Sequence, residues 1–254
     1  MIARKSRQEI AIMKEGGSLL GIILKDLIAY ASVGMECLDI ESRAQALIRN
    51  TGGTPSFQTV HGYSWATCIC INDEVVHGIP TKRKLNNGDM LTIDIGLLYG
   101  GFHTDTAWTK IIGNDTSPEK EGKIRFLDIG LQTLIRAIDL CKVGNHVGDI
   151  SESNQKNIEA AGYSIVKTLV GHGVGKELHE DPQIPNYSRG NTANTYKFQG
   201  GETIAIEPIY AQGQGTIVYA NDDGWTLATR DGSYSAVFEH SIAITEDGPL
   251  ILTA

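Results

Sequence analysis

Hydrophobic and polar positions along the chain follow two periods. Over the first 30 residues, Ile10, Met13, Leu20, Leu24 and Leu27 recur at helical spacing. Ser6 and Glu9 stand where a capping box would start that helix. A second helix is predicted from Asp39 through Ala44, Leu47 and Ile48, with Gly52 and Gly53 to stop it. A third takes Ser117 as N-cap and Pro118 as its first residue, turning Ile124, Leu127, Leu131, Leu134, Ile135 and Ile138 inward. A fourth runs from about Asp149 to Gly162. Between and after the helices the period changes to two. Met90–Leu98 and Phe102–Ile112 read as a hairpin turned at Tyr99-Gly100-Gly101. Segments near 164–170, 203–210, 216–220, 225–230 and 235–245 read as further strands. No Pro/Ser-rich linker breaks the chain, so the expectation is one α+β domain over 1–254, built on a mostly antiparallel sheet.

The strand pattern contains an echo. Gly88-Asp89-Met90-Leu91-Thr92-Ile93-Asp94 resembles Gly201-Glu202-Thr203-Ile204-Ala205-Ile206-Glu207. In each, a turn glycine leads into a strand that ends on a carboxylate. A later strand in each half carries another carboxylate, Asp105 and Glu239. The pattern predicts two similar halves around a pseudo-twofold axis.

These four acids make the echo chemically interesting. Asp and Glu are poor strand formers. Each taken singly reads as a solvated residue on an exposed sheet face. Gathered on one face, they could not all stay ionised, because a like-charge pair at ~4 Å costs about 4 kcal/mol at an effective dielectric of 20. Either the carboxylates protonate or cations sit among them. Two divalent ions would neutralise four carboxylates. With a single imidazole, such a site suits Mn, Fe, Co or a catalytic Zn.

The imidazole candidate is His172, in Val170-Gly171-His172-Gly173-Val174-Gly175; the alternative is an incidental His in a Gly-rich turn. A Walker loop fails there, with Val170 and Glu177 at positions that need Gly and Ser or Thr. G-x-G-x-x-G fails at Lys176, and H-E-x-x-H fails at Gln183. His77 and His179 are further candidates for donors or proton shuttles. Cys68-Ile69-Cys70 puts two thiols on one strand face, without the further cysteines that a metal site would need.

Composition narrows the function classes. The 254 residues carry 22 Lys+Arg against 30 Asp+Glu, a formal charge of −8, and 41% are hydrophobic. That balance argues against a duplex nucleic-acid partner, and the apolar content supports a sizeable core. The longest apolar run, Leu19–Leu24, is far short of the ~20 residues of a membrane span. Glu9, Lys14 and Glu15 interrupt any export signal, and four cysteines without a C-x-x-C pair suit a reducing, cytoplasmic setting.

Asn72–Pro80, Gly88–Thr106, Gly171–Pro182, Glu207-Pro208, Asp223-Gly224-Trp225-Thr226 and Phe238-Glu239-His240 follow one another at spacings that resemble the type I methionine aminopeptidases almost end to end. The resemblance implies the pita-bread fold, a curved antiparallel sheet with helices outside and two pseudo-twofold halves. It also implies metal-dependent removal of the initiator methionine from nascent chains, favoured when the second residue is small. By the same resemblance Asp94, Asp105, His172, Glu207 and Glu239 are ligands of two divalent ions (Co, Mn, Fe(II), Zn or Ni). Asp105 and Glu239 would bridge the ions, and a bridging water or hydroxide would attack the peptide carbonyl. Glu207 is implied as general base, His179 as oxyanion donor and His77 as the contact to the scissile nitrogen. His61, Tyr63, Cys68 and Trp225 fall at the methionine-pocket positions, while Val60, Leu178 and Val237 depart from them, which predicts an apolar pocket with fewer rigid aromatic walls. The resemblance also implies a monomer near the ribosomal exit. Lys82-Arg83-Lys84 is either a ribosome-facing patch or a solvated loop. Two competing readings remain: a prolidase or aminopeptidase P, which usually carries an extra N-terminal domain, and a non-catalytic peptide-binding module.

Overall fold

The computed structural model describes residues 2–188 and 190–254. The chain begins with α1 (Arg7–Tyr30) and α2 (Cys37–Thr51), then a two-residue strand β1 (Thr54–Pro55), β2 (Thr67–Ile71) and β3 (Glu74–Val76). The long hairpin β4 (Met90–Tyr99) and β5 (Phe102–Ile111) follows. A second helix pair, α3 (Lys120–Leu140) and α4 (Val147–Ala160), leads to β6 (Ser164–Ile165), β7 (Val170–Gly173) and β8 (Glu180–Pro185). The remainder is β9 (Thr203–Ile206), β10 (Ile209–Ala211), β11 (Ile217–Tyr219), β12 (Leu227–Thr229), β13 (Ser235–Val237), β14 (His240–Thr245) and β15 (Gly248–Ile251). Among the described residues all strand pairs are antiparallel, in two larger sheets, β1-β4-β2 with β5 on β4, and β15-β14-β9-β7-β8, and two three-stranded ones.

The predicted capping box starts α1: Glu9 N donates to Ser6 Oγ, and Ser6 N to Glu9 Oε2. Met13, Leu20, Leu24 and Leu27 are buried as expected. Gly17 and Gly21 let the helix lie directly on the C-terminal segment; a Cβ there would fall 2.6 Å from Leu252 O and 2.5 Å from Thr253 O.

Other expectations need correction. The second helix begins at Cys37 rather than Asp39, because Asp39 serves as the N3 member of a capping box with Glu36. The third begins at Lys120, not at Ser117-Pro118; Leu134 and Ile138 are buried as expected, but Phe126, Gly130, Thr133 and Ala137 share the inner face, while Ile124 and Ile135 are 37% and 53% exposed. Packing against Tyr210 decides this. Tyr210 donates its hydroxyl to Phe126 O at 2.7 Å, and Gly130 leaves room for the phenol. A Cβ on Gly130 would sit 2.2 Å from Tyr210 Oη, in a side chain with no exposed surface. Gly130→Ala is therefore expected to cost about 1–3 kcal/mol from overpacking, read from urea or thermal unfolding.

The predicted strands over 164–170, 203–210 and 235–245 are each broken. β9 stops at Ile206 because Glu207 and Pro208 leave the ladder, where proline has no N–H to donate. β13 and β14 are separated by Phe238 and Glu239. Both breaks fall at candidate ligands. His172 stands on β7 rather than in a turn, and its glycines serve close packing: a Cβ on Gly171 would fall 2.6 Å from Ala205 O, and one on Gly173 2.3 Å from Asp181 O. Asp94 is no surface residue either, since both faces of β4 are largely buried.

The two halves repeat bond for bond. Cys37 N donates to Arg83 O, and Val147 N to Tyr196 O; Gly34 N to Leu85 O, and Gly144 N to Phe198 O. The turn glycines Gly88 and Gly201 have φ of 86° and 94° and donate to Ile112 O and Ile244 O. Helix pair, bridge and strand thus recur, and the echo in the sequence is the trace of a repeated supersecondary unit.

Candidate metal centre

Register places the carboxylates. Gly96 pairs with Asp105 and Asp94 with Ala107, so the two aspartates share a face as diagonal neighbours on the β4–β5 hairpin. In the other half His240 pairs with Ile206, so Glu239 and Glu207 leave their strands at the same level. His172 pairs with Ala205, two residues before Glu207. Hydrogen bonds then join the halves: Ser241 Oγ donates to Asp105 O at 2.9 Å, and Glu239 N to Ala107 O at 2.9 Å. Thr106 Oγ1 donates to Glu239 O at 2.7 Å. As a result, ligand atoms of Asp105, His172 and Glu239 lie within 4.8 Å of one another, all three residues buried. Asp94 and Glu207 line the same cavity, of about 620 Å³.

The electrostatics of this cluster ask for cations. Burial pushes the Asp94 carboxyl up to about 7, against a hydrogen bond with Asp105 that lowers it. Burial also raises Asp105, with the Glu239 and Asp94 charges adding to it. Glu207 is raised by burial and then by Asp94 and Asp105, and Glu239 by burial and then by Glu207 and Asp94. His172 is pushed down to about 4, mainly by burial. Its Nδ1 lies 2.8 Å from Gly173 O and must donate there, which leaves the Nε2 lone pair 3.6 Å from Glu207 Oε1. Asp94 Oδ1 is buried with no hydrogen-bond partner. Four carboxylates and one imidazole nitrogen, with an orphaned oxygen among them, fit a divalent metal held by hard donors. Thiolate chemistry does not compete, because burial keeps the Cys68 thiol protonated, 3.2 Å from Tyr63 Oη.

A stability trend follows for metal-stripped protein. A carboxylate whose folded pKa is raised stabilises the fold while protonated and loses that contribution as pH rises through the folded value. For Asp94 that value is about 7, and its three neighbours are raised as well. The buried histidines act in the opposite sense only below their ordinary 6.5. Between pH 8.5 and 6.5 the stripped protein is expected to gain stability as pH falls, by several degrees in Tm at about 2–4 °C per kcal/mol. Saturating Mn(II) should raise Tm most at the alkaline end, and a flat profile without metal would contradict the carboxylate cluster.

The surroundings assemble most of the expected residues. His77, His179, Tyr63, Cys68 and Trp225 all line the cavity. The His179 ring meets His172 edge-on at 4.5 Å between centroids. His77, with a left-handed φ of 58°, stands edge-on to Trp225 at 6.4 Å. Burial lowers both histidines, with His179 adding to the effect on His77. Tyr63 and Cys68 cluster with Phe57 and Leu178, and Trp225 crosses Tyr63 at 5.1 Å.

Three expectations fare differently. His61 is exposed and does not line the cavity. Val237 packs behind it with Val75, Ala107, Val166 and Ile209, so that departure from the pattern lies in the core. Of Lys82-Arg83-Lys84, Arg83 is engaged by Glu74 at 2.9 Å, while Lys84 pairs with Glu36 through the main chain. Sequence reasoning missed Phe57 as a wall and Ser241 as the tie across the seam. Nothing local marks either; Ser241 is one of several polar residues in its strand, His240-Ser241-Ile242-Ala243-Ile244-Thr245.

Known proteins resemble this chain in sequence and in fold. The sequence profile described as metallopeptidase family M24 matches residues 11–246. Methionine aminopeptidase 1 of Bacillus subtilis is 38% identical over 253 residues, covering 100% of this chain and 99% of that protein. The crystal structure of methionine aminopeptidase from Thermotoga maritima superposes with a TM-score of 0.93 at 38% identity, covering 100% and 99%. A prolidase from Pyrococcus horikoshii OT3 shares the fold at a TM-score of 0.78 and 23% identity, but 99% of this chain spans only 63% of that one.

Proposed function

Because the chain belongs to metallopeptidase family M24 and, as a metalloaminopeptidase, removes N-terminal methionine, we propose that it does so as one catalytic domain with a dinuclear centre. Asp94, Asp105, His172, Glu207 and Glu239 would hold the metal. The observation that carries this is the convergence of buried carboxylates from both halves, with Asp105, His172 and Glu239 already within 4.8 Å of one another. When bound, the ions supply Lewis acidity that acidifies a water and polarises the first peptide carbonyl.

The chain's own residues do the rest. Glu207 accepts the proton that the water gives up. His179 is a neutral imidazole at pH 7, so its ring N–H donates to the oxygen that becomes negative as the carbonyl is attacked. His77, held against Trp225 at the mouth of the cavity, contacts the scissile nitrogen. Phe57, Tyr63, Cys68, Leu178 and Trp225 enclose the methionine side chain; Tyr63 is fixed by donating to Thr67 O at 2.9 Å. An unbranched thioether suits such an apolar, sulfur- and aromatic-lined wall. The natural substrates are nascent chains with a small second residue. The same reading makes the enzyme a cytoplasmic monomer that meets those chains at the ribosome.

The testing experiment uses metal-stripped protein with Met-Ala-Ser, Leu-Ala-Ser and Ala-Pro-Ser, alone and with Mn, Co, Fe(II), Zn or Ni. Metal-dependent release of methionine alone is expected. Comparable release of leucine would mean that Leu178 and Val60 have loosened the pocket. Release of alanine from Ala-Pro-Ser would instead make this a prolidase on the shared fold. A maximum at one metal equivalent per chain would count against the dinuclear centre.

A further inference from the structure

One buried cation beside the site has no part in the chemistry above. Lys5 precedes α1, its side chain is 4% exposed, and its Nζ lies 2.6 Å from Glu180 Oε2. Glu180 follows His179 in the chain. Its other oxygen, Oε1, accepts from Glu177 N at 3.2 Å, so one carboxylate joins the two ends of the turn that carries Leu178 and His179. The backbone makes room for the lysine: a Cβ on Gly175 would fall 2.4 Å from Lys5 Cε. Gly175 O in turn accepts from His103 N at 2.7 Å, which ties the start of the segment to β5. On its other side the same stretch grips the turn into β9. Lys5 N donates to Gly201 O at 2.6 Å, and Arg4 Nε to Gly200 O at 2.7 Å.

Two residues thus strap together the segment that presents His179 and the turn leading to Glu207. A buried ion pair is a poor source of net stability, because desolvation offsets most of its attraction. It is a good source of fixed geometry. Removing the ammonium would leave Glu180 facing an apolar stem, free to turn toward solvent and carry the His179 backbone with it.

We propose that Lys5 is a positioning residue for His179, acting through Glu180. The proposal rests on the reading of His179 as the donor to the developing oxyanion. A misplacement near 1 Å costs about a hundredfold in well-aligned sites, so Lys5→Met is expected to lower kcat ten- to a hundredfold. KM and metal content should stay unchanged, and Lys5→Arg should restore most of the loss.

The deciding measurement is a cycle on the metal-loaded full chain with Met-Ala-Ser as substrate. If Lys5 acts only through His179, Lys5→Met in a His179→Ala background costs less than twofold. An equal loss in both backgrounds would mean a general structural role and would overturn the proposal. So would full kcat in Lys5→Met alone. If Lys5→Met does not fold, Glu180→Gln carries the same cycle, since it removes the charge that holds the ammonium while keeping shape. A wild-type enzyme that releases methionine while His179→Ala retains full kcat would sink the reading of His179 itself, separately from Lys5.

Discussion

Asp105→Ala is expected to lose turnover and metal together. Asp105 is one of the three residues whose donor atoms already converge, and it stands on the seam where the halves meet. Its place in the fold does not depend on its carboxylate. The ties to Ser241 run through the Asp105 main chain, while the side chain accepts from Thr106 N within the strand and meets Asp94 inside the cluster. The variant should therefore fold. If Asp105 holds the metal as proposed, its loss takes the metal with it, and kcat/KM with Met-Ala-Ser should fall by at least ~10³-fold, since the metal supplies the water activation. Elemental analysis after reconstitution should show metal content falling in parallel. A second signature separates this from simple damage. The carboxylate is buried against Glu239 and Asp94. Its removal should make the metal-free protein more stable at pH 8, while the metal-loaded form gains less from added Mn(II). Near-normal turnover in Asp105→Ala would refute the ligand assignment.

His179→Ala should show the opposite separation. Its ring touches His172 edge-on and lines the cavity, with no hydrogen bond to the cluster among the described residues. Metal content and KM should therefore change little. The loss falls on kcat, by about 10²–10³-fold, the range for removing one donor to a developing oxyanion. Loss of metal in this variant would make His179 a ligand instead of a donor. An unchanged kcat would remove it from the reaction.

Several parts of this molecule were readable along the chain for definite physical reasons. The capping box at Ser6 and Glu9, the apolar stripe of α1 and the β4–β5 hairpin are local: each depends on residues within a few positions of one another. The repeated glycine–acid–strand–carboxylate pattern was readable because each half builds the same unit, with the same turn glycine in the left-handed region. Burying four acids together was legible as a demand for cations because Coulomb's law needs only their proximity.

What stayed hidden was set by partners distant in sequence. The inner face of α3 is chosen by Tyr210, which Gly130 admits, and no window around residue 130 contains that information. The breaks at Glu207-Pro208 and Phe238-Glu239 interrupt patterns that locally look like continuous strands. His61 sits near pocket residues in sequence yet is exposed, while Phe57 and Leu178 arrive from separate loops to close the wall.

By itself, then, the sequence determined which residue types were present for hydrolytic metal chemistry, the elements that carry them and the duplication that pairs them. Tertiary structure alone decided that they meet. Ser241 and Thr106 lock one half to the other, and that contact brings Asp105 to Glu239 across a separation of more than half the chain. Hydrogen bonding and periodicity act over a few residues, and so can be read along the chain. Convergence of charges is a property of packing, which the folded core supplies.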